Sequence, residues 1–245
     1  MQLTVLGSRA PYPIPGRACP GYLVEEEGWR VLVDAGSGSL ANLRRIMPPE
    51  ELDAVILTHL HADHFSDFLS LRYIIYRWRR DRLREAPLPV YAPARPGEVV
   101  PLIGYKDDVV HQPLTAGRLE LGPWQLSFRL TNHPVECYAV RFDGPSGSLA
   151  YSADTGPSDD LLNLACESDL FLCEASLLEE DRKHGNQAGH LTARQAGALA
   201  RQARVGKLVL THLWPEYDEE RVRKEASDEF EGPLQVARDL EVYPV

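Results

Sequence analysis

Three histidines and an aspartate fall within six residues, His59-Leu60-His61-Ala62-Asp63-His64, directly after the apolar run Val55-Ile56-Leu57. Imidazole nitrogens combined with carboxylate oxygens are the donor set of zinc and related first-row ions. Side chains alternate along an extended stretch, so His59 and His61 project to the same side. Asp63 and His64 sit on the turn into a helix and can point elsewhere, so one strand end can feed two adjacent metals. One ion needs three or four ligands and two need more, so partners must arrive from distant strand ends. His133 follows the strand-like run LSFRL, Asp154 ends AYSADTG in a glycine turn where a carboxylate can bridge two ions, and His212 in LVLTHL repeats the strand-then-histidine arrangement of His59.

These residues need strands to deliver them. The first 60 residues read as LTVLG, GYLVEEE, WRVLVDAG and DAVILTHL, short apolar runs bounded by Gly, Pro or Asp. Residues 65–86 shift to the spacing of an amphipathic helix, and PLPVYAP opens another strand. Strands LELGPWQLSFRLTNH, CYAVRFDG and SLAYSADTG follow, then a short helix DDLLNLACE and strand LFLCEA. Thr192–Arg204 reads as a helix capped by Thr192. KLVLTHL is a strand, and LEVYPV a short terminal one. AVILTHL echoes KLVLTHL, and VLVDAGSG echoes LAYSADTG, at unequal offsets. Two similar β-rich halves, each with helices, predict two sheets sandwiched between helices.

Composition narrows the partners. A net charge of −10 is a poor footprint for holding a long nucleic-acid backbone. It leaves room for a small phosphate ester, because bound metals would supply local positive charge. No apolar run approaches a membrane span and the start lacks a signal-peptide pattern, so a soluble cytoplasmic protein with no membrane partner is expected. Cys19, Cys137, Cys166 and Cys173 form no CxxC pair and read as free thiols.

THLHADH resembles the THxHxDH signature of the metallo-β-lactamase superfamily. LVDAG before it and NHP, SADTG and VLTHL after it keep the family's order over nearly the whole chain. The resemblance implies one domain over residues 1–245 of α/β (α+β) class, a four-layer αββα sandwich with a dinuclear site at the edge between its sheets. It implies that His59, His61 and His133 hold one metal, that Asp63, His64 and His212 hold the other, and that Asp154 bridges. Asp34 resembles the aspartate that orients such a site. Two divalent ions are implied, zinc first, with manganese, iron or nickel compatible with the same ligands.

Within that superfamily, LGSRAPYP resembles the LGTG-type loop of the tRNA 3′-end-processing and phosphodiesterase branch. Asp154 and Glu174-Ala175 match further segments of that branch, and His190-Leu191-Thr192 with Gln195-Ala196 resembles its histidine motif at a helix start. Phosphodiester cleavage must protonate a departing alkoxide, and a histidine near its own pKa can donate that proton. A helix N-terminus beside His190 would also favour an anionic substrate. The branch's tRNA enzymes carry a long basic arm before the bridging aspartate, whereas here only 20 residues separate His133 from Asp154.

The expected activity is therefore hydrolysis of a small phosphodiester, a cyclic nucleotide or a short RNA end. The nucleophile would be a metal-bound hydroxide, with Asp63 orienting it and His190 as proton donor. A thioester or lactone hydrolase would use the same metals without needing His190, and an arm-less RNA-processing nuclease would need a positive groove. The basic stretch RYIIYRWRRDRLRE reads as a solvated helix face, or as a cover for the site that contacts phosphate; its Tyr and Trp at 72–84 make a homodimer plausible. His184 reads as a solvated loop histidine, and His111 has no assigned role.

Overall fold

In strand β3 (Trp29–Ala35) the residues change destination one by one: Val31 and Val33 face a core between two sheets, and Leu32 faces a core under helices. Strands buried on both faces explain why the sequence shows continuous apolar runs and not alternation. The same division holds in β4 (Ala54–Ile56), where Ala54 and Ile56 point inward and Val55 outward.

The computed structural model describes residues 1–182 and 189–245; His184 lies outside them. The first sheet contains β1 (Gln2–Gly7), β2 (Gly21–Glu26), β3, β4, β5 (Leu88–Ala92) and β6 (Val109–Pro113). It runs antiparallel from β1 to β3 and parallel from β3 to β6. The second sheet begins with the antiparallel series β7 (Gly117–Leu121), β8 (Trp124–Leu130), β9 (Tyr138–Gly144) and β10 (Gly147–Tyr151). It continues in parallel through β11 (Leu170–Glu174), β12 (Lys207–Thr211) and β13 (Leu234–Val236). β14 (Val242–Pro244) closes the far edge of the first sheet against β1.

Helices cover both outer faces. α1 (Ser39–Ile46), the one-turn α2 (Ala62–Phe65) and α3 (Phe68–Arg80) lie on the first sheet, with Leu43, Phe68, Leu71 and Ile75 in its outer core. α4 (Asp159–Ala165), α6 (Ala193–Ala203) and α7 (Glu219–Ser227) cover the second, and a single turn α5 (Glu179–Arg182) precedes α6. The result is the expected four layers, helices–sheet–sheet–helices. No helix among the described residues is long and apolar enough to cross a membrane. The four cysteines are unpaired.

Three sequence expectations need correcting. The single helix over 65–86 is two, because the Asp67 carboxylate turns back to accept from Gly38 and Leu40 N–H and so pins the break between α2 and α3. α3 then stops at Arg80, and Arg82 adopts a left-handed conformation (φ 58°). Its cations are tied to neighbours: Arg77 pairs with Asp81 and Arg79 with Asp108 at 2.6 Å. The basic stretch therefore belongs to a surface network, and none of its residues lines the cavity at the histidine cluster. β6, α1, α7 and β13 were not read from sequence at all. His111 has a structural place in β6, where Nε2 bonds the Ala92 carbonyl at 3.0 Å.

α6 and α7 touch at Gly197, where a Cβ would meet the Ala226 carbonyl oxygen at 2.3 Å and its carbon at 3.0 Å. Alanine gains up to ~1 kcal/mol of helix propensity over glycine, but overpacking against backbone costs about 1–3 kcal/mol. Gly197→Ala is thus expected to lower stability, read as a lower urea midpoint; a raised midpoint would show that the two helices can separate freely.

Candidate metal centre

The polar residues converge where strands of both sheets end. Asp34 lies at the end of β3, His59 three residues beyond β4, Asp154 three beyond β10, and His212 directly after β12. The backbone at Asp34 (φ 57°), Ala153 (φ 49°) and His212 (φ 57°) is left-handed, a conformation that side chains rarely adopt and that turns the chain sharply off the sheet edge. α2 starts at once after His61, which places Asp63 and His64 on its first turn.

The side chains meet at close range. His59 Nε2 is 3.1 Å from His61 Nδ1, which is 3.2 Å from His133 Nε2. His212 Nε2 is 3.0 Å from His64 Nε2. Asp154 lies between the two sets. Its Oδ2 is 3.5 Å from His59 Nε2 and 4.0 Å from His133 Nε2, while its Oδ1 is 3.2 Å from His64 Nε2 and 3.1 Å from His212 Nε2. Asp63 Oδ2 is 3.7 Å from His64 Nε2 and 3.5 Å from His212 Nε2. His59, His61, His133 and Asp154 form one group able to hold an ion, and Asp63, His64 and His212 a second.

Outer partners decide which nitrogen each ring offers. His64 Nδ1–H donates to Asp34 Oδ2 at 2.8 Å, and His133 Nδ1–H to the Gly189 carbonyl at 3.0 Å. His212 Nδ1 meets Ser176 Oγ at 2.7 Å, and His59 Nδ1 meets Thr58 Oγ1 at 3.2 Å. With the Nδ1–H of these four rings so engaged, Nε2 carries the lone pair; those of His64 and His212 face each other, and those of His59 and His133 face Nδ1 of His61. Lone pairs 3.0–3.2 Å apart repel unless a proton or a cation stands between them. Asp154 Oδ1 is buried, and neither imidazole approaches it with the geometry of a hydrogen bond. A nitrogen and oxygen set of this kind fits divalent ions.

Without a cation, protons take that place unequally. Burial lowers the pKa of His59, His61 and His133, and neighbouring histidines add to it for all three. Burial opposes charge on His64 and His212 as well, but Asp154 and the adjacent carboxylates outweigh it, pushing His64 up and His212 to about 10. Burial likewise opposes the charge on Asp154, yet His212, His64 and His59 hold its pKa well below the usual carboxylate range. A cation at Asp63, His64 and His212 must displace protons from the two rings.

Beside this centre, His190 Nδ1 bonds Glu174 Oε1 at 3.1 Å. One nitrogen of His190 lies within 4.8 Å of ligand atoms of Asp154 and His212. Burial opposes its charge, but the Glu174 carboxylate wins and raises its pKa. Glu174 is itself fixed by Thr155 N–H, Leu191 N–H and the Ser176 hydroxyl.

All seven expected ligands and His190 are thus brought together, and Asp34 stands behind them. The helix N-terminus expected beside His190 is present, but Thr192 and Gln195 close it with a capping box that takes the Gln195 N–H, and Ala193 N–H bonds the Leu177 carbonyl. Thr58, Tyr151, Ser176 and Gly189 were missed. Only Gly189 left a signal, as the residue before His190: a Cβ there would lie 2.9 Å from His133 Nδ1 and 2.5 Å from Pro134.

The fold and this cluster define a hydrolase of the metallo-β-lactamase fold. Residues 29–213 match the family model described as "Beta-lactamase superfamily domain", and the chain belongs to that superfamily. It is 34% identical to the "Probable metallo-hydrolase YhfI" of Bacillus subtilis over 97% of both chains. The YhfI crystal structure superposes with a TM-score of 0.91 over 99% of both. It is also 32% identical to a protein named ribonuclease Z from Mycobacterium bovis, over 100% of this chain and 99% of that one. The crystal structure of a diphosphatase from the PhnP family, 21% identical, shares the fold at a TM-score of 0.79, over 100% of this chain and 97% of that one.

Asp34 accepts from Thr58 N–H at 2.8 Å, the Thr58 hydroxyl at 3.0 Å, His64 at 2.8 Å and the Tyr151 hydroxyl at 3.1 Å. Asn tolerates the left-handed backbone but lacks the charge and one acceptor oxygen. Asp34→Asn is expected to weaken metal binding about 10–100-fold in chelator competition; wild-type affinity would show that Asp34 does not orient the histidines.

Proposed function

We propose that this hydrolase is a phosphodiesterase acting on small phosphodiesters, a cyclic nucleotide or a short RNA end. The observation that carries the reading is His190. Glu174 holds its Nδ1 and raises its pKa, which favours the protonated form that a donor to a departing alkoxide needs, and a nitrogen of the ring lies close to Asp154 and His212. The names of two relatives, ribonuclease Z and a diphosphatase, agree with phosphoester chemistry.

His59, His61 and His133 would hold one divalent ion, Asp63, His64 and His212 the other, with Asp154 shared by both; zinc suits the donor set. When bound, the ions supply an activated water and neutralise the phosphoryl oxygens. The chain's own residues do the rest. Asp63 lies at the rim of the cavity, where it can both ligate and orient the attacking water. Glu174 fixes the ring of His190 and stabilises its charge. The cavity of about 800 Å³ lined by His61, Asp63, Asp154, His190 and His212 suits a small substrate. A tight hairpin, β9–β10, fills the stretch between His133 and Asp154, and with a net charge of −10 this argues against clamping a long RNA.

The test is one panel on metal-loaded protein: bis-p-nitrophenyl phosphate, cyclic nucleotides, a thioester, a lactone and nitrocefin. Phosphodiester turnover is expected to fall about 10²–10⁴-fold in His190→Ala with metal content retained. Good lactone or thioester turnover that ignores the substitution would overturn the reading in favour of a carbonyl hydrolase. His61→Ala and Asp63→Ala should abolish turnover of every substrate, with loss of bound metal in the first; full activity in either would contradict the site.

A further inference from the structure

The cavity at the histidine cluster has two chemically different parts. The cluster's His and Asp side chains make one; Ala10, Pro11, Leu177, Trp214 and Tyr217 make the other, with the Asp181 carboxylate bonded to the Tyr217 hydroxyl. Hydrolysis of a phosphodiester uses only the first. The second contains an indole that is 38% exposed, in a protein that buries Trp124 almost completely in its inter-sheet core.

Trp214 is not a stray surface aromatic. It follows His212 by two residues, so the turn that delivers that histidine also sets the indole. The segment is held on both sides: Ala10 N–H bonds the Leu213 carbonyl at 3.1 Å, and Leu213 N–H bonds the Ser8 carbonyl at 2.9 Å. The Tyr12 ring meets the indole edge to face at 6.3 Å and 70°, and the Tyr12 hydroxyl is hydrogen-bonded to the Glu216 carboxylate. A rigid, partly exposed aromatic platform therefore adjoins a site built for anionic oxygens. A planar ring stacks on such a platform whatever its hydrogen-bonding edge, and the interaction costs little side-chain entropy when the platform is already braced.

We propose that Trp214 is the base-stacking residue of this site: the substrate's phosphoryl group lies at the histidine cluster while a nucleobase lies on the indole. The inference rests on the phosphodiesterase reading and gives that site a residue that holds the substrate's base. A flexible acyl chain would also find the apolar wall, but it needs apolar area and not an aromatic face. Leucine would serve it as well as tryptophan.

Binding of adenosine 5′-monophosphate and of ribose 5-phosphate to metal-loaded protein separates these possibilities, since the two probes differ only in the base. Titration calorimetry should show the nucleotide binding about tenfold tighter, the order expected from one base–aromatic stack. Trp214→Leu should erase the difference and Trp214→Phe should keep most of it, with metal content unchanged in both. Equal affinity of the wild-type protein for the two probes, or a preference that survives in Trp214→Leu, would overturn the proposal. Since no turnover is measured, equal affinities alongside phosphodiester hydrolysis would sink the stacking role alone. A Trp214-dependent preference without phosphodiester hydrolysis would sink the activity alone.

Discussion

Asp34 is fully buried, and its two oxygens receive bonds from Thr58, His64 and Tyr151, which stand on both sheets. A carboxylate removed from water must find enough donors to replace it, and here the donors are the residues that shape the metal centre. His64 bonds Asp34 directly, while His59 is tied to it through the Thr58 hydroxyl, which accepts from the imidazole and donates to the carboxylate. One buried charge thus sets a ring in each of the two ion-holding groups. Tyr151 brings in the second sheet, and its ring packs edge-on against Tyr22, whose hydroxyl bonds Thr211 just before His212.

The second half repeats the device. Glu174 is as deeply buried, bonds His190 directly and reaches His212 through the Ser176 hydroxyl. In both halves a carboxylate at a strand end, helped by a hydroxyl, fixes two imidazoles. The consequence is division of labour. Asp34 orients rings in both ion-holding groups, and Glu174 orients His212 together with His190. The left-handed residues at Asp34, Ala153 and His212 follow from the same need, because chains leaving a sheet edge must turn at once to aim at a shared point.

This arrangement explains what could be read in the residue order. Ligands are legible because coordination demands particular residue types, and HLHADH, NHP, SADTG and VLTHL place them after strands of both sheets. The echo between VLVDAGSG and LAYSADTG was also real: β3 and β10 occupy matching places. The spacing to the second echo differs because β11 and α6 intervene before β12, whereas β4 lies directly beside β3. Thr58 and Ser176 were not legible, since a hydroxyl is common at any strand end and only three-dimensional proximity shows that it relays a bond. α7 escaped because its sequence EERVRKEAS is mostly charged and buries only Val222 and Ala226. The capping box of α6 was visible as Thr192 and Gln195. That the Gln195 and Ala193 amides are taken by the cap and by the Leu177 carbonyl required the contacts themselves.

Where those amides are used internally, attraction for an anionic substrate has to come from elsewhere. The chain is acidic overall, the arginines of α3 are engaged with Asp81 and Asp108, and the cluster's own carboxylates repel phosphate. On the proposed reading, positive charge at the site comes from bound cations at the strand ends and from His190 just before α6. An electrostatic pull so concentrated acts within roughly a Debye length, about 8 Å at physiological salt. It can hold a single phosphoryl group firmly while giving a long polyanion nothing to follow. On the proposed reading, the shape of the cavity and the distribution of charge impose the same limit on substrate size, and the remaining discrimination falls to the wall around Trp214.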